Sequence, residues 1–259
     1  MSGEGPFDAL SLDLWFTSFY HTDEDLAAWD AARVRTLEQR LRLPSGKGLD
    51  ARTIADAVHA VSSGLRSPDQ TVYRSSVTSD PSLVLRALAD HLHAVVVGTG
   101  DAAEELSAAG LSSAPPRINP EADRLVRRLA ARGIPTVLLT NSSRRSSTWS
   151  AFLDRAGGPP FRAVVSSADF GRAKPDPEIF REAARRLSVR PEHLLHVGDR
   201  WELDVEGALA AGCGAALYRG LWDRYPETYS ELPPPPSDTG AVRLVDDLSV
   251  LADPELWTS

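Results

Sequence analysis

The spacing of apolar residues changes period early in the chain. Residues 7–13 read as a buried strand, interrupted by Asp8 and ending on the carboxylate of Asp13. From His21 onward the spacing is helical. Leu26, Trp29, Val34, Leu37 and Leu41 form an approximate stripe, and Thr22 and Asp25 stand three apart as a capping box. Pro44, Gly46 and Gly48 stop this helix. A second helix opens near Asp50 and carries Ile54, Ala57, Val58 and Val61. A third opens at Asp80-Pro81, an N-cap followed by proline, and turns Leu85, Leu88 and Leu92 to one side. Residues 95–98 fit either a fourth helix or a short extended run, and Pro115-Pro116 ends the helical stretch.

Helix and strand then alternate regularly. Helices are predicted at 120–132, 147–154, 177–187 (capped by Asp176) and roughly 202–211, the last ended by Gly212. Strands are predicted at 135–140, 161–166, 194–198, 215–218 and 241–245. Repeated strand-helix-strand units imply an α/β fold, a Rossmann-like and mainly parallel sheet with helices on both faces. Residues 1–17 and 117–259 form that core, and residues 18–116 become an α-helical cap inserted after the first strand. Pro233 to Pro236 read as a stiff surface spacer between the last two strands.

Composition narrows the function classes. The chain has 259 residues, 42% of them apolar, enough for a sizeable core. A formal charge of -8 argues against a nucleic-acid binder, and the arginines at 124, 127, 128 and 132 fall on a solvent face of one helix. The single cysteine, Cys213, excludes an intrachain disulfide and a multi-cysteine zinc site. With neither a secretory signal nor an apolar run of roughly 20 residues, the expectation is a cytoplasmic enzyme without a membrane partner, either monomer or homodimer.

Reactive groups in an open α/β sheet collect beyond the carboxyl ends of the strands. Four segments reach such an end with polar residues: Asp13 and Thr17; Thr140, Asn141 and Ser142; Lys174; and Gly198-Asp199, followed by Asp204. Asp13, Asp199 and Asp204 in one place would repel one another unless a hard divalent cation joined them, and magnesium suits such an oxygen-rich set. Gly198 would allow a sharp turn that faces Asp199 inward, and Asp204 would sit in the first turn of the next helix, favoured by its dipole. Thr140 and nearby amides can donate to a phosphoryl oxygen, and Arg144 can meet an anionic substrate. Lys174 can supply positive charge, and it is one of only two lysines, the other being Lys47.

These segments resemble the haloacid dehalogenase-like hydrolase superfamily. Its motifs are similar, in order, to Asp13-Leu14-Trp15-Phe16-Thr17, Val137-Leu138-Leu139-Thr140-Asn141, Ala173-Lys174-Pro175-Asp176 and Val197-Gly198-Asp199, the last with Asp204. The resemblance implies a magnesium-dependent hydrolase of a small phosphorylated metabolite, in which Asp13 forms an aspartyl-phosphate. It also implies magnesium held by Asp13, the Trp15 carbonyl and Asp199, with Asp204 in direct or supporting contact. Thr17 would orient the nucleophile, and Thr140 and Lys174 would stabilise the transferring group. From their position after Thr140, and not from the resemblance, Asn141, Ser142 and Arg144 are expected to face the substrate.

The departure is Trp15, where the family pattern has a second acid. An indole neither protonates a leaving alkoxide nor activates water. Asp69, His59 and His91 are candidate substitutes, although His59 lies among Ala and Val as a packed residue would. The same gap admits a 2-haloacid dehalogenase-like enzyme, whose halide leaves without a proton, and a scaffold or regulatory protein that keeps the fold. A Schiff-base route would need Lys47, which reads as a solvent-facing turn residue.

Overall fold

The computed structural model describes residues 6–65, 81–224, 240 and 242–257. Its centre is a six-stranded sheet of β1 (Ala9–Asp13), β6 (Thr136–Thr140), β7 (Ala163–Ser166), β8 (Leu194–Gly198), β9 (Gly214–Tyr218) and β10 (Arg243–Val245). The order is β10-β9-β8-β1-β6-β7, and every pairing is parallel. β1 lies in the middle, and the chain builds first to one side of it and then to the other. The crevice where this direction reverses opens beyond the ends of β1 and β8.

Side chains alternate across β1 as the strand period requires. Leu10 and Leu12 face a core completed by Ala122, Leu125, Val126 and Leu129 of α5 (Pro120–Ala131). Ala9 faces the other core, built on Ile179, Phe180, Ala183 and Leu187 of α8 (Pro177–Leu187). α6 (Ser146–Ala156), the short α7 (Ser167–Phe170) and α9 (Glu206–Ala210) complete the α/β layers. The arginines on α5 are exposed as the period predicts.

Between β1 and β6 the chain makes a helical excursion through α1 (Asp23–Arg40), α2 (Ala51–Leu65), α3 (Pro81–His91) and α4 (Ala102–Ser113). The Thr22–Asp25 capping box of α1 is present with both of its bonds. Val34, Leu37, Ile54, Val58, Leu85, Leu88 and Leu106 form the private core of this insertion. Leu26 departs from the predicted stripe: it is 45% exposed because the first turn of α1 projects from the packed face. The 95–98 segment resolves as extended, β4 (Val95–Val96) pairing antiparallel with β3 (Leu41–Arg42). A second ribbon closes the base of the insertion, where β2 (Phe19–Tyr20) pairs with β5 (Arg117–Ile118). Arg117 Nε adds an ion pair to Asp25 at 2.7 Å.

The helix predicted from about residue 202 is replaced by a π-helical turn, Trp201–Val205, before α9 begins. Among the described residues no helix is long and apolar enough to cross a membrane. Asp69, Asp80 and the segment Pro233 to Pro236 lie outside the described residues, as does Ala241 at the start of the last predicted strand.

Candidate active site

Asp13 ends β1 and is 7% exposed. The turn after it is tightly tied: Ser18 Oγ donates to the Asp13 carbonyl at 2.6 Å, and the Ser18 and Phe19 amides return to the Leu14 carbonyl at 3.0 and 2.8 Å. Phe16 sits at φ 57° within it, a left-handed conformation that costs a non-glycine residue about 1–3 kcal/mol. Asn119 secures the far side. Its Nδ2 donates to the Thr17 carbonyl at 2.8 Å while its Oδ1 caps α5 through the Glu121 amide. This positioning role went unread in the sequence, although Asn before Pro is a recognisable N-cap signal.

Lys174 arrives from the loop before α8, 2% exposed, and its ammonium donates to Asp13 Oδ1 and to Asp204 Oδ1. Asn141, at the end of β6, clamps the backbone of this lysine with both halves of its amide. Burial works against the lysine's charge, yet Asp13 and Asp204 outweigh it and raise its pKa above the usual range. Asp13 moves the other way. Burial raises its pKa to about 6, with Lys174 opposing and Asp204 adding to the shift.

Asp204 stands on the π-helical turn, so the predicted benefit from an α-helix first turn is absent. In its place, the Arg200 main-chain N–H donates to Asp204 Oδ2 at 2.9 Å, and His196 Nε2 lies 3.1 Å from Oδ1. Burial opposes ionisation of Asp204, but Lys174 and His196 prevail and hold its pKa below the carboxylate range. An ionised carboxylate only accepts, so His196 Nε2 carries the proton. Burial lowers the pKa of His196 against the pull of Asp204; the ring is neutral, and its Nδ1 accepts from Ser11 Oγ at 2.9 Å. Sequence reading missed both residues, because a serine on β1 and a histidine on β8 meet only through strand pairing.

The role predicted for Gly198 also changes. Its φ is not left-handed, and what requires glycine is space: a Cβ there would lie 2.2 Å from Asp204 Cγ. The Asp204 side chain therefore folds back over the end of β8.

Asp13, Asp199 and Asp204 are all buried, with one carboxylate oxygen from each lying within 4.8 Å of the others. Such an all-oxygen set can hold a hard divalent cation. Thr17 and Thr140 are fully buried, and neither hydroxyl has a hydrogen-bond partner. Buried polar atoms are nearly always satisfied, so two such hydroxyls beside a carboxylate cluster fit a site built to receive oxygen atoms of a bound group.

The remaining predicted residues divide. Ser142 Oγ accepts from the Arg144 amide at 3.0 Å and from Trp149 Nε1 at 3.1 Å, so it fixes the loop after β6. The Arg144 guanidinium lies 4.4 Å from the Trp29 ring. Trp15 turns its ring into an aromatic cluster, with ring centres 4.9 Å from His21, 6.0 Å from Trp29 and 5.9 Å from Trp149. His59 and His91 are both exposed, so the packed position expected for His59 is not found, and Lys47 is exposed on its turn.

Comparison with known proteins agrees with this architecture. A family profile described as haloacid dehalogenase-like hydrolase matches residues 17–212. The glyceraldehyde 3-phosphate phosphatase of Methanopyrus kandleri is 54% identical over 52 residues, 20% of this chain and 22% of the relative. The phosphoserine phosphatase of Thermus thermophilus is 36% identical over 117 residues, 44% of this chain and 45% of the relative. The chain thus spans less than half the length of these curated relatives. Among solved structures, a HAD phosphatase from Thermococcus onnurineus superposes with TM-score 0.63 at 17% identity, covering 95% of this chain and 96% of that one. A 2-haloacid dehalogenase from Pseudomonas syringae gives TM-score 0.61 at 21% identity, with the same coverage of 95% and 96%. A phosphatase and a dehalogenase share this fold almost equally, so the fold does not select between them. With its parallel sheet, inserted helices and aspartate-lysine cluster, and with the profile matching most of its length, the chain belongs to the haloacid dehalogenase-like hydrolases.

Proposed function

We propose that the protein is a magnesium-dependent hydrolase of a small phosphorylated metabolite, acting through an aspartyl-phosphate on Asp13. The observation that carries this reading is the Lys174 ammonium shared by Asp13 and Asp204, with Asp199 completing the carboxylate cluster. In this reading residues 1–17 and 117–259 form the catalytic core, and residues 18–116 form the cap over it.

Asp13 attacks phosphorus as the ester P–O bond breaks, the leaving oxygen takes its proton from solvent, and water then cleaves the aspartyl-phosphate to release phosphate and free Asp13; the Lys174 ammonium balances charge on the nucleophile and the transferring group. Thr17 and Thr140 donate their unpartnered hydroxyls, Thr17 toward the nucleophile and Thr140 toward a phosphoryl oxygen. Asn141 contributes by holding Lys174, Ser142 by shaping the loop, and Arg144 by facing the substrate. Asp13, Asp199 and the Trp15 carbonyl would hold magnesium, with Asp204 in support, since both oxygens of Asp204 already accept hydrogen bonds. When bound, the cation supplies positive charge that offsets phosphoryl oxygens and keeps Asp13 ionised.

Trp15 favours a second reading, a 2-haloacid dehalogenase-like reaction in which Asp13 attacks carbon and halide leaves unprotonated. A panel of phosphate esters and 2-haloacids, with and without magnesium and with Asp13→Asn as control, separates the two. Magnesium-dependent phosphate release that the substitution abolishes supports the proposal. Metal-independent halide release replaces it.

A further inference from the structure

The insertion and the loop after β6 enclose a cavity of about 150 Å³, lined by Trp29, Arg33, Leu106 and Ser107 from the insertion and by Ser143 and Arg144 from the loop. Arg144 is only 8% exposed. Its guanidinium stacks over the Trp29 ring at 4.4 Å and lies 5.8 Å from the Trp149 ring. Its Nε is buried without a hydrogen-bond partner, and among the described residues no carboxylate comes within ion-pair distance of it. Glu104 attracts it from farther away but accepts a hydrogen bond from Thr148 at 2.8 Å. Arg33, which lines the same cavity, repels it and itself pairs with Asp30 at 3.6 Å. Burial and this repulsion lower the pKa of Arg144 to about 9, which leaves it cationic at neutral pH.

A buried cation without a counterion destabilises a fold, and the positive charge of Arg33 at the same cavity adds repulsion. Such an arrangement is understandable where a ligand brings the missing negative charge. Waters occupy roughly 30 Å³ each in the liquid, so the cavity has room for several, or for one carboxylate or phosphate group in their place. The planar fork of an arginine pairs with either group through two parallel hydrogen bonds. Aromatic packing ties the cavity wall to the turn after Asp13. Trp15, two residues beyond Asp13, packs its ring on Trp29 and Trp149, the same two rings that lie under the guanidinium.

We infer that Arg144, assisted by Arg33, forms a pocket for a second anionic group, so that the substrate is a two-headed anion: a phosphate monoester that also carries a carboxylate or another phosphate. This deepens the proposed function and rests on its assignment of Asp13 as the phosphoryl site.

The test is a titration of the intact protein in magnesium, read by calorimetry and by tryptophan fluorescence. The probes are methylphosphonate, phosphonoacetate, 3-phosphonopropionate, methylenebisphosphonate and malonate. At least one two-headed phosphonate should bind about tenfold or more tightly than methylphosphonate, a difference of about 1.4 kcal/mol. Whether the carboxylate or the phosphonate probes gain more identifies the second head. Arg144→Gln should remove the advantage and Arg33→Gln, on the half-exposed face of α1, should reduce it, the advantage being the ratio of two-headed to methylphosphonate affinity measured within each variant. No advantage in the wild type, or an advantage that survives both substitutions in folded protein, overturns the pocket. Arg144-dependent malonate binding without any methylphosphonate binding would sink the phosphoryl reading and keep the pocket.

Discussion

Asn141 holds Lys174 by both main-chain polar groups of the lysine, donating from Nδ2 to the carbonyl at 2.9 Å and accepting at Oδ1 from the N–H at 2.7 Å. The charge between Asp13 and Asp204 is therefore placed by a neighbouring amide as well as by its own loop. Asn141→Ala leaves two backbone groups without these partners, and the expected loss is about 1–3 kcal/mol in denaturant unfolding. Turnover should fall with it. Asn141→Asp keeps one acceptor and should unfold between the two, an ordering that equilibrium unfolding curves would check.

Gly198→Ala should disable the site from behind. The new methyl would meet the Asp204 carboxylate at 2.2 Å and push it away from Lys174, His196 and the Arg200 amide. Calorimetric magnesium affinity and phosphate release should both drop sharply. Gly48→Ala is the control, because nothing lies within 4 Å of a Cβ there and its φ is not left-handed. Its stability should stay within about 0.5 kcal/mol of wild type.

In the proposed reaction Trp15 sets a chemical requirement on the leaving group. Without a proton donor at that position, phosphates of acidic leaving groups, such as acetyl phosphate and nitrophenyl phosphate, should be hydrolysed faster than alkyl phosphates. The gap should approach the roughly 10²–10⁴-fold worth of a general acid. Trp15→Asp should narrow it by raising the alkyl rates. Equal rates for glycerol phosphate and nitrophenyl phosphate in the wild type would show that another group supplies the proton.

His21 makes stability depend on pH. Its ring is buried between Trp15 and Trp29 with neither nitrogen hydrogen-bonded, and burial lowers its pKa below the ordinary histidine range. The unfolded chain then binds the proton more readily than the native one, so stability is full above the unfolded pKa and declines as pH falls below it. His21→Phe keeps the stacking and removes the proton. The variant should gain on the wild type as the pH drops from neutral toward about 5, in thermal melts across buffers.

Much of this was legible in the chain because it depends on local spacing. Each predicted core strand that is described lies within two residues of its place, and the polar residues at the ends of β1, β6 and β8 converge with Lys174 as their position beyond the strands implied. The capping box of α1 was equally readable, since both partners sit within one turn. What escaped depends on long-range pairing. Ser11 meets His196 only because β1 lies beside β8, and the two short ribbons are too brief to carry any periodicity. The π-helical turn under Asp204 is made by bonds five residues apart, the Val205 and Glu206 amides donating to the Arg200 and Trp201 carbonyls, and apolar spacing there is indistinguishable from an α-helix. His21 and Trp29 read as a boundary residue and a stripe residue, and nothing near them in sequence announces the guanidinium that Trp29 supports.

The β2–β5 ribbon has one more implication. The long excursion departs and returns through two adjacent rungs, Phe19 beside Ile118 and Tyr20 beside Arg117, so the parallel sheet is threaded identically whatever hangs beyond them. Everything between those rungs behaves as a cassette, and joints whose ends meet in this way tolerate exchange. If the insertion selects substrate as proposed, a differently shaped cassette grafted at the same doorway would change which molecules are admitted while the strand ends that carry the aspartates keep their order.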